Sequence, residues 1–162
     1  MSSIFRPGMR TYFIPLVAGL VLAASAFLPW VIVGSVSMPG LPDTAAIWVV
    51  GLGGLASVLA LLSLITRRNS RHPLLLIGLF ALGIMFLSWR VMPRAAGERA
   101  LTIAQAFSIV ENTPMATEQA ADVGVGIYLG LAASAVLVLF GLTIVVKRAS
   151  QPYVVASADD DV

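Results

Sequence analysis

Few side chains in this sequence have the type and spacing that catalysis or metal binding needs. His72 is the only histidine, and there is no cysteine, which excludes disulfides, thiolate metal sites and dithiol redox chemistry. One histidine cannot supply both axial ligands of a haem, and Met85 would lie about 20 Å away along the same predicted helix. His72 could still bind the magnesium of one (bacterio)chlorophyll, which makes it the candidate cofactor ligand. Beside Pro73, it also fits a simpler position at a helix start in the membrane interface.

Carboxylates are equally sparse. Glu98 and Glu111 fall in one loop with no histidine near them and no second ligand cluster, so we predict no metal site. The sequence contains no serine–histidine arrangement, no phosphate-binding glycine loop and no HExxH helix. We therefore expect a protein that is not an enzyme and requires no cofactor. Lipid, carotenoid, quinone or chlorophyll are the molecules that it could bind.

The composition indicates that lipid, not water, surrounds much of the chain. Hydrophobic residues make up 59% and charged residues 11% of the 162 residues, whereas a soluble domain carries roughly 25% charged residues. The net charge is +2 and the mean hydropathy is +0.95. The basic residues lie between apolar runs and not on one face, so membrane orientation explains them and nucleic acid binding is not expected.

Four apolar runs are each long enough to cross a hydrocarbon core of roughly 30 Å as a helix. We predict an all-α integral membrane protein, an antiparallel bundle of four transmembrane helices within residues 1–148. Residues 93–122 form the second outer loop, and residues 149–162 form an acidic, flexible cytoplasmic tail. The four predicted spans are about 11–33, 45–65, 73–92 and 123–146.

The first run has an alternative interpretation as a cleaved signal peptide. Arg6 and Arg10 would be its basic region, and the small residues at 24–26 resemble a cleavage site. The run stays apolar through "FLPWVIVG", which favours a retained span.

The basic residues predict that both termini are cytoplasmic, in a bacterial cytoplasmic membrane. The side that holds both termini carries seven of them, against three on the other side together with five acids. The seven are Arg6, Arg10, Arg67, Arg68, Arg71, Lys147 and Arg148, and the three are Arg90, Arg94 and Arg99.

Four spans with a tryptophan and a glycine after the first helix resemble claudin-type tetraspan proteins in outline. That family has a long, strand-forming first outer loop with a paired-cysteine motif. The corresponding loop here, "GSVSMPGLPDT", is short and free of cysteine, so the sequence does not assign the chain to that family.

The predicted spans are rich in small residues and lack the charged side chains that transport of ions or charged substrates needs. No ionisable side chain lies well inside a span, which argues against a pump, a proton-coupled antiporter or a carrier of charged substrates. Serine and threonine hydroxyls remain, Ser88 among them, and these can bond to their own helix backbone. Small residues at four-residue spacing predict close helix packing, within the chain or with a partner, and we expect one such face to serve a partner. The packing residues are Gly53, Ser57, Ala60, Gly126, Gly130 and Ser134.

Aromatic residues mark one end of the predicted spans. Trp30, Trp48, Trp89 and Tyr128 all fall near the outer ends of their helices, which predicts a one-sided aromatic belt at the headgroup level.

The second outer loop has an amphipathic pattern. Ile103, Phe107 and Val110 fall on one face of a short predicted helix, together with Ala100 and Ala104. Such a face could lie on the bilayer surface, dock a partner, or cover its own bundle.

Three hypotheses for the function follow. The first is a structural or accessory subunit that docks other integral membrane subunits of a larger complex, with respiratory and photosynthetic assemblies as the expected setting. The second is a small protein that binds quinone, carotenoid or chlorophyll between its helices. The third is an oligomeric channel or carrier for a neutral solute.

Overall fold

The computed structural model describes residues 10–66, 71–115 and 120–149, and this part of the chain is mostly helical. Three helices, within Thr44–Thr66, His72–Glu111 and Val125–Thr143, are long and apolar enough to cross a membrane, and Phe13–Ser25 is a shorter apolar helix. The predicted acidic tail and Arg6, Arg67 and Arg68 lie outside the described residues. A 3₁₀ turn at Arg10–Tyr12 is followed by α1 (Phe13–Ser25), β1 (Pro29–Val33), β2 (Val36–Pro39), α2 (Thr44–Thr66), α3 (Arg71–Glu111), β3 (Ala121–Val123) and α4 (Val125–Ala149).

The four helices pack as a ring in which α1 contacts α2 and α4, and α3 contacts α4 and α2. Close contacts at both ends show that α1 runs beside most of α4 in the opposite direction. The ring of Tyr12 packs edge-to-face on Phe140 at 5.3 Å between centroids, while Ser25 lies beside Gly126 and Gly130. The short helix therefore lies antiparallel beside the part of α4 between Gly126 and Phe140.

The prediction that the first helix continues to Val33 is wrong. Helix α1 ends at Ser25, and Pro29–Val33 form a strand. Pro29 cannot donate to a helical hydrogen bond, and the β-branched residues that follow it favour a strand. The next segment supplies the partner through a two-residue turn, in which Gly34 has the positive φ of 59° that a type II′ turn requires.

A three-stranded antiparallel sheet with the order β2-β1-β3 covers one end of the bundle, which we call the sheet end. Strand β1 pairs with β2 from the next segment and with β3, which directly precedes α4. The sheet thus joins the α1–α2 connection to the α3–α4 connection. The first loop is short and free of cysteine, and it forms the two strands β1 and β2. Strands in this loop were expected for claudin-type proteins and not for this chain.

The prediction that the third helix ends at Pro93 is also wrong. Helix α3 continues through Pro93 to Glu111, a length of about 60 Å. Proline in a helix interior costs about 3 kcal/mol, but the alanines, arginines and glutamate that follow it are strong helix formers. Ala96 and Ala100 also pack against the core. The helix ends at Asn112, whose φ is 55°, where the Thr113 N–H donates to the Ser108 carbonyl in a Schellman arrangement.

Candidate functional site

Trp30 lies at the junction between the sheet and the helices, not on the surface. It is 1% exposed, and its Nε1–H donates to the Ser25 carbonyl oxygen at 2.8 Å. Gly40 and Gly126 leave room for its ring, because a Cβ on either glycine would lie within 2.6 Å of ring atoms. The predicted place of Trp30 in an aromatic belt is therefore wrong: β1 turns the side chain back over the bundle, where its amphipathic ring is fully covered.

The other three aromatic residues of the predicted belt are exposed at the sheet end. Trp48 is 63%, Trp89 38% and Tyr128 55% exposed. From these residues to Thr66, His72 and Lys147 near the opposite ends of their helices, the helical rise is about 26–29 Å. This distance is close to the thickness of a hydrocarbon core, roughly 30 Å.

The small residues of α2 are occupied by α1. A Cβ on Gly53 would lie 2.7 Å from both the Ala23 nitrogen and the Gly19 oxygen, so the two backbones touch. The Ser57 hydroxyl donates to the Gly53 carbonyl at 2.9 Å, and Ala60 is fully buried.

The small residues of α4 are occupied in the same way. Gly126 lies under Trp30, and Gly130 contacts the Met85 side chain of α3. Ser134 is fully buried, with its hydroxyl donating to the Leu131 carbonyl at 2.9 Å. All six packing residues are thus buried inside the chain's own fold, and none of them is open to a partner.

The part of α3 that follows Pro93, residues 94–111, carries the predicted docking face, and we call it the distal segment. Ile103, Phe107 and Val110 are 57%, 61% and 83% exposed. Ala100 and Ala104, on the same predicted face, are half-buried. The distal segment is continuous with α3 and is not a separate helix as predicted, so its direction is set by α3.

A cavity of about 500 Å³ lies between α3, the β1–β2 hairpin and the start of α2, and we call it the sheet-end cavity. It is open to the surface, and most of its walls are apolar. Asp43, Ser88 and Arg99 are its hydroxyl-bearing and charged residues. The other lining residues are Trp30, Val31, Met38, Pro39, Gly40, Ala45, Leu87, Val91, Met92, Ala95 and Ala96.

The polar residues of this cavity differ in their hydrogen-bond and ion-pair partners. Ser88 is 5% exposed, yet its hydroxyl has no hydrogen-bond partner within the described residues. Other buried serines each donate to a carbonyl of their own helix, namely Ser25, Ser57, Ser63 and Ser134. One carboxylate oxygen of Asp43 accepts the Ala45 N–H at 2.9 Å and so caps α2. Asp43 and Arg99 are both exposed, and no ion pair joins either of them to another described side chain. No pattern of residues predicts this cavity, because the fold of β1 creates it.

A second groove, of about 530 Å³, lies on the side of the bundle between α1 and α4. Its lining is apolar throughout, with Phe13, Val17 and Val136 among the lining residues. This surface is complementary to a hydrocarbon chain.

His72 is exposed in the first turn of α3 and lines neither cavity. Over residues 10–66, 71–115 and 120–149, no group of three or more histidine, aspartate and glutamate side chains is placed to hold a metal ion. A role for His72 as a chlorophyll ligand stays a prediction.

The comparisons with known proteins give no relative for this chain: no protein-family model, curated protein or solved structure matches it.

Proposed function

We propose that the chain is a four-span membrane protein with both termini on the cytoplasmic side and the sheet end outside. The seven-to-three distribution of basic residues supports this orientation. The common spacing between the exposed aromatic residues and the opposite ends of α2, α3 and α4 supports one membrane layer for these helices. Helix α1 has only 13 residues, but its antiparallel contacts with α4 support its place in the same layer.

Within this arrangement, the protein acts as a non-catalytic accessory subunit that docks a neighbouring integral membrane subunit. The observation that carries this proposal is the distal segment of α3. From Trp89 to Glu111 the helix rises about 33 Å, so the segment projects from the bilayer and does not lie on its surface.

The apolar side chains of the distal segment then face water. Ile103, Phe107 and Val110 are more than half exposed in a region outside the lipid. A contiguous exposed apolar stripe on a projecting helix is typical of a protein interface. The packing residues of α2 and α4 are used internally, and the stripe is the docking surface that we propose.

A site-specific photocrosslinker tests the proposal in native membranes. Placed at Phe107, it should give one discrete adduct between this chain and another integral membrane protein. Thr102 is the matched control, since it is exposed on the opposite side of the same helix and its hydroxyl donates to the Glu98 carbonyl.

The outcome distinguishes the alternatives for this face. An adduct at position 107 and not at 102, abolished by Ile103→Glu in the same chain, supports docking. Adducts with lipid alone, or equal adducts from both positions, would contradict it. An adduct with a second copy of the chain would replace the accessory-subunit proposal with self-assembly.

A further inference from the structure

The buried hydroxyl of Ser88 indicates that the sheet-end cavity is a ligand site. A buried hydroxyl without a partner costs free energy, and helical serines usually avoid this by bonding to their own backbone. The four other buried serines of α1, α2 and α4 named above do so.

The side chains that follow and precede Ser88 in the cavity lining are apolar. A buried water needs two to four polar partners, whereas the neighbouring walls are formed by Leu87, Val91 and Met92. The indole N–H of Trp30, another donor in the lining, is already bonded to the Ser25 carbonyl. A molecule that brings both an apolar part and a hydrogen-bonding group fits these walls.

The rim of the cavity carries one charge of each sign. Arg99 and Asp43 line it, both exposed, and neither forms an ion pair with a described side chain. Ser88 and Arg99 are separated by about 16 Å of helical rise, although a long arginine side chain can shorten this distance. A rim with one free guanidinium and one carboxylate complements a headgroup that carries both an anion and a cation.

We propose that the sheet-end cavity binds an amphiphile with one apolar chain and a zwitterionic headgroup. Its anionic group pairs with Arg99, its cationic group with Asp43, and an ester or hydroxyl group bonds to Ser88. The volume of about 500 Å³ lies within the usual range of roughly 300–1,000 Å³ for ligand pockets.

The site is also placed where such a molecule would reach it. Ser88 is adjacent to Trp89, which is exposed at the sheet end, and the exposed side chains of Leu87 and Val91 continue the apolar wall to the surface of α3. A chain can therefore leave the cavity along α3 while its headgroup stays at the rim. The cavity lining and the docking stripe share no residue, although Arg99 lies one turn before Ile103 on the same helix. Lipid quenching tests the cavity and protein crosslinking tests the stripe, so the two outcomes are distinguishable.

Tryptophan fluorescence provides the test, because Trp30 lines the cavity. Trp48→Phe with Trp89→Phe leaves Trp30 as the only tryptophan of the full-length chain. This protein, purified in an uncharged sugar detergent, is titrated with lysophosphatidylethanolamine brominated on its chain, which quenches indole on contact. We expect saturable quenching.

Headgroup specificity is measured on the same protein and needs no further substitution. Brominated fatty acid carries only the anion and brominated monoacylglycerol carries no charge, so each should bind at least fivefold more weakly. Quenching that does not saturate, or equal affinity for all three probes, would overturn the proposal.

Two matched pairs of variants test the residues. Ser88→Ala and Arg99→Gln should each weaken binding at least fivefold. Ser134→Ala removes a buried hydroxyl that its own helix satisfies, and Arg94→Gln removes an exposed arginine outside the cavity lining; both should stay within twofold. If Ser88→Ala binds as tightly as Ser134→Ala, the assignment of Ser88 is wrong.

Discussion

At the scale of single residues, neighbours that look alike in the sequence have different surroundings. Gly53 and Gly54 are adjacent in α2, but a Cβ on Gly53 would meet the backbone of α1 while a Cβ on Gly54 would meet nothing within 4 Å. The same holds for serines, since Ser134 bonds to its own helix and Ser88 lines a cavity. The role of a small residue in this bundle is thus decided by the helix that packs on it.

This contrast makes a prediction about stability. Gly53→Val should lower the free energy of unfolding by about 1–3 kcal/mol or more, because the rigid backbone of α1 must move to admit the side chain. Gly54→Val introduces the same residue one position away and should change stability by about 0.5 kcal/mol or less. Thermal unfolding of both purified variants in one detergent measures the difference, and equal losses would contradict the contact between α1 and α2.

At the scale of elements, α3 stays helical through a proline because the residues on both sides of the proline favour a helix. Pro93 removes one backbone hydrogen bond, but the sequence on both sides of it favours helix, and contacts of Ala96 and Ala100 with the core hold the next two turns in place. The distal segment is therefore part of the same unbroken helix as the first part of α3. Its orientation relative to the sheet depends on this continuity.

Pro93→Ala should strengthen the connection between the two parts of α3. The new N–H at position 93 can donate to the Trp89 carbonyl, and alanine is favoured over proline in a helix interior by about 3 kcal/mol. Amide hydrogen exchange over the distal segment should slow by tenfold or more, while exchange in α2 should stay the same. Unchanged or faster exchange in residues 94–111 would mean that Pro93 does not limit the helix.

At the scale of the whole molecule, the sheet binds the two halves of the chain together at one end. Strand β1 pairs with β2 beside it in the sequence and with β3 almost 90 residues later. The Trp30 ring fills the space beneath this sheet, between Gly40 and Gly126. The sheet-end cavity exists because the hairpin, α2 and α3 meet there.

The proposed orientation can be measured directly, because the natural sequence has no cysteine. Ser35→Cys, in the exposed turn between β1 and β2, should react with a membrane-impermeant maleimide added to intact cells. Ser150→Cys, next to Lys147 and Arg148 in the sequence, should react only after the membrane is opened. The reverse pattern would invert the assignment of the two sides.

Some features of the fold could be predicted from the sequence because they depend on local composition. Runs of apolar residues predicted α2, α4 and the first part of α3, since a run of about 20 apolar residues in lipid can satisfy its own backbone hydrogen bonds only as a helix. The exposed apolar face at Ile103, Phe107 and Val110 followed from helical periodicity in the same way. The absence of charged side chains inside the apolar runs is visible in the sequence itself.

The tertiary structure alone decided where α1 ends, where Trp30 points and whether α3 stops at Pro93. Residues 29–33 are apolar enough for a helix, and only the pairing with β2 and β3 makes them a strand. Ser88 could have bonded to its own helix like the other serines, and only the folded hairpin places it in a cavity wall. The physical reason is common to all of these: each depends on hydrogen bonds and close packing between segments far apart in the chain, which no local pattern of residues records.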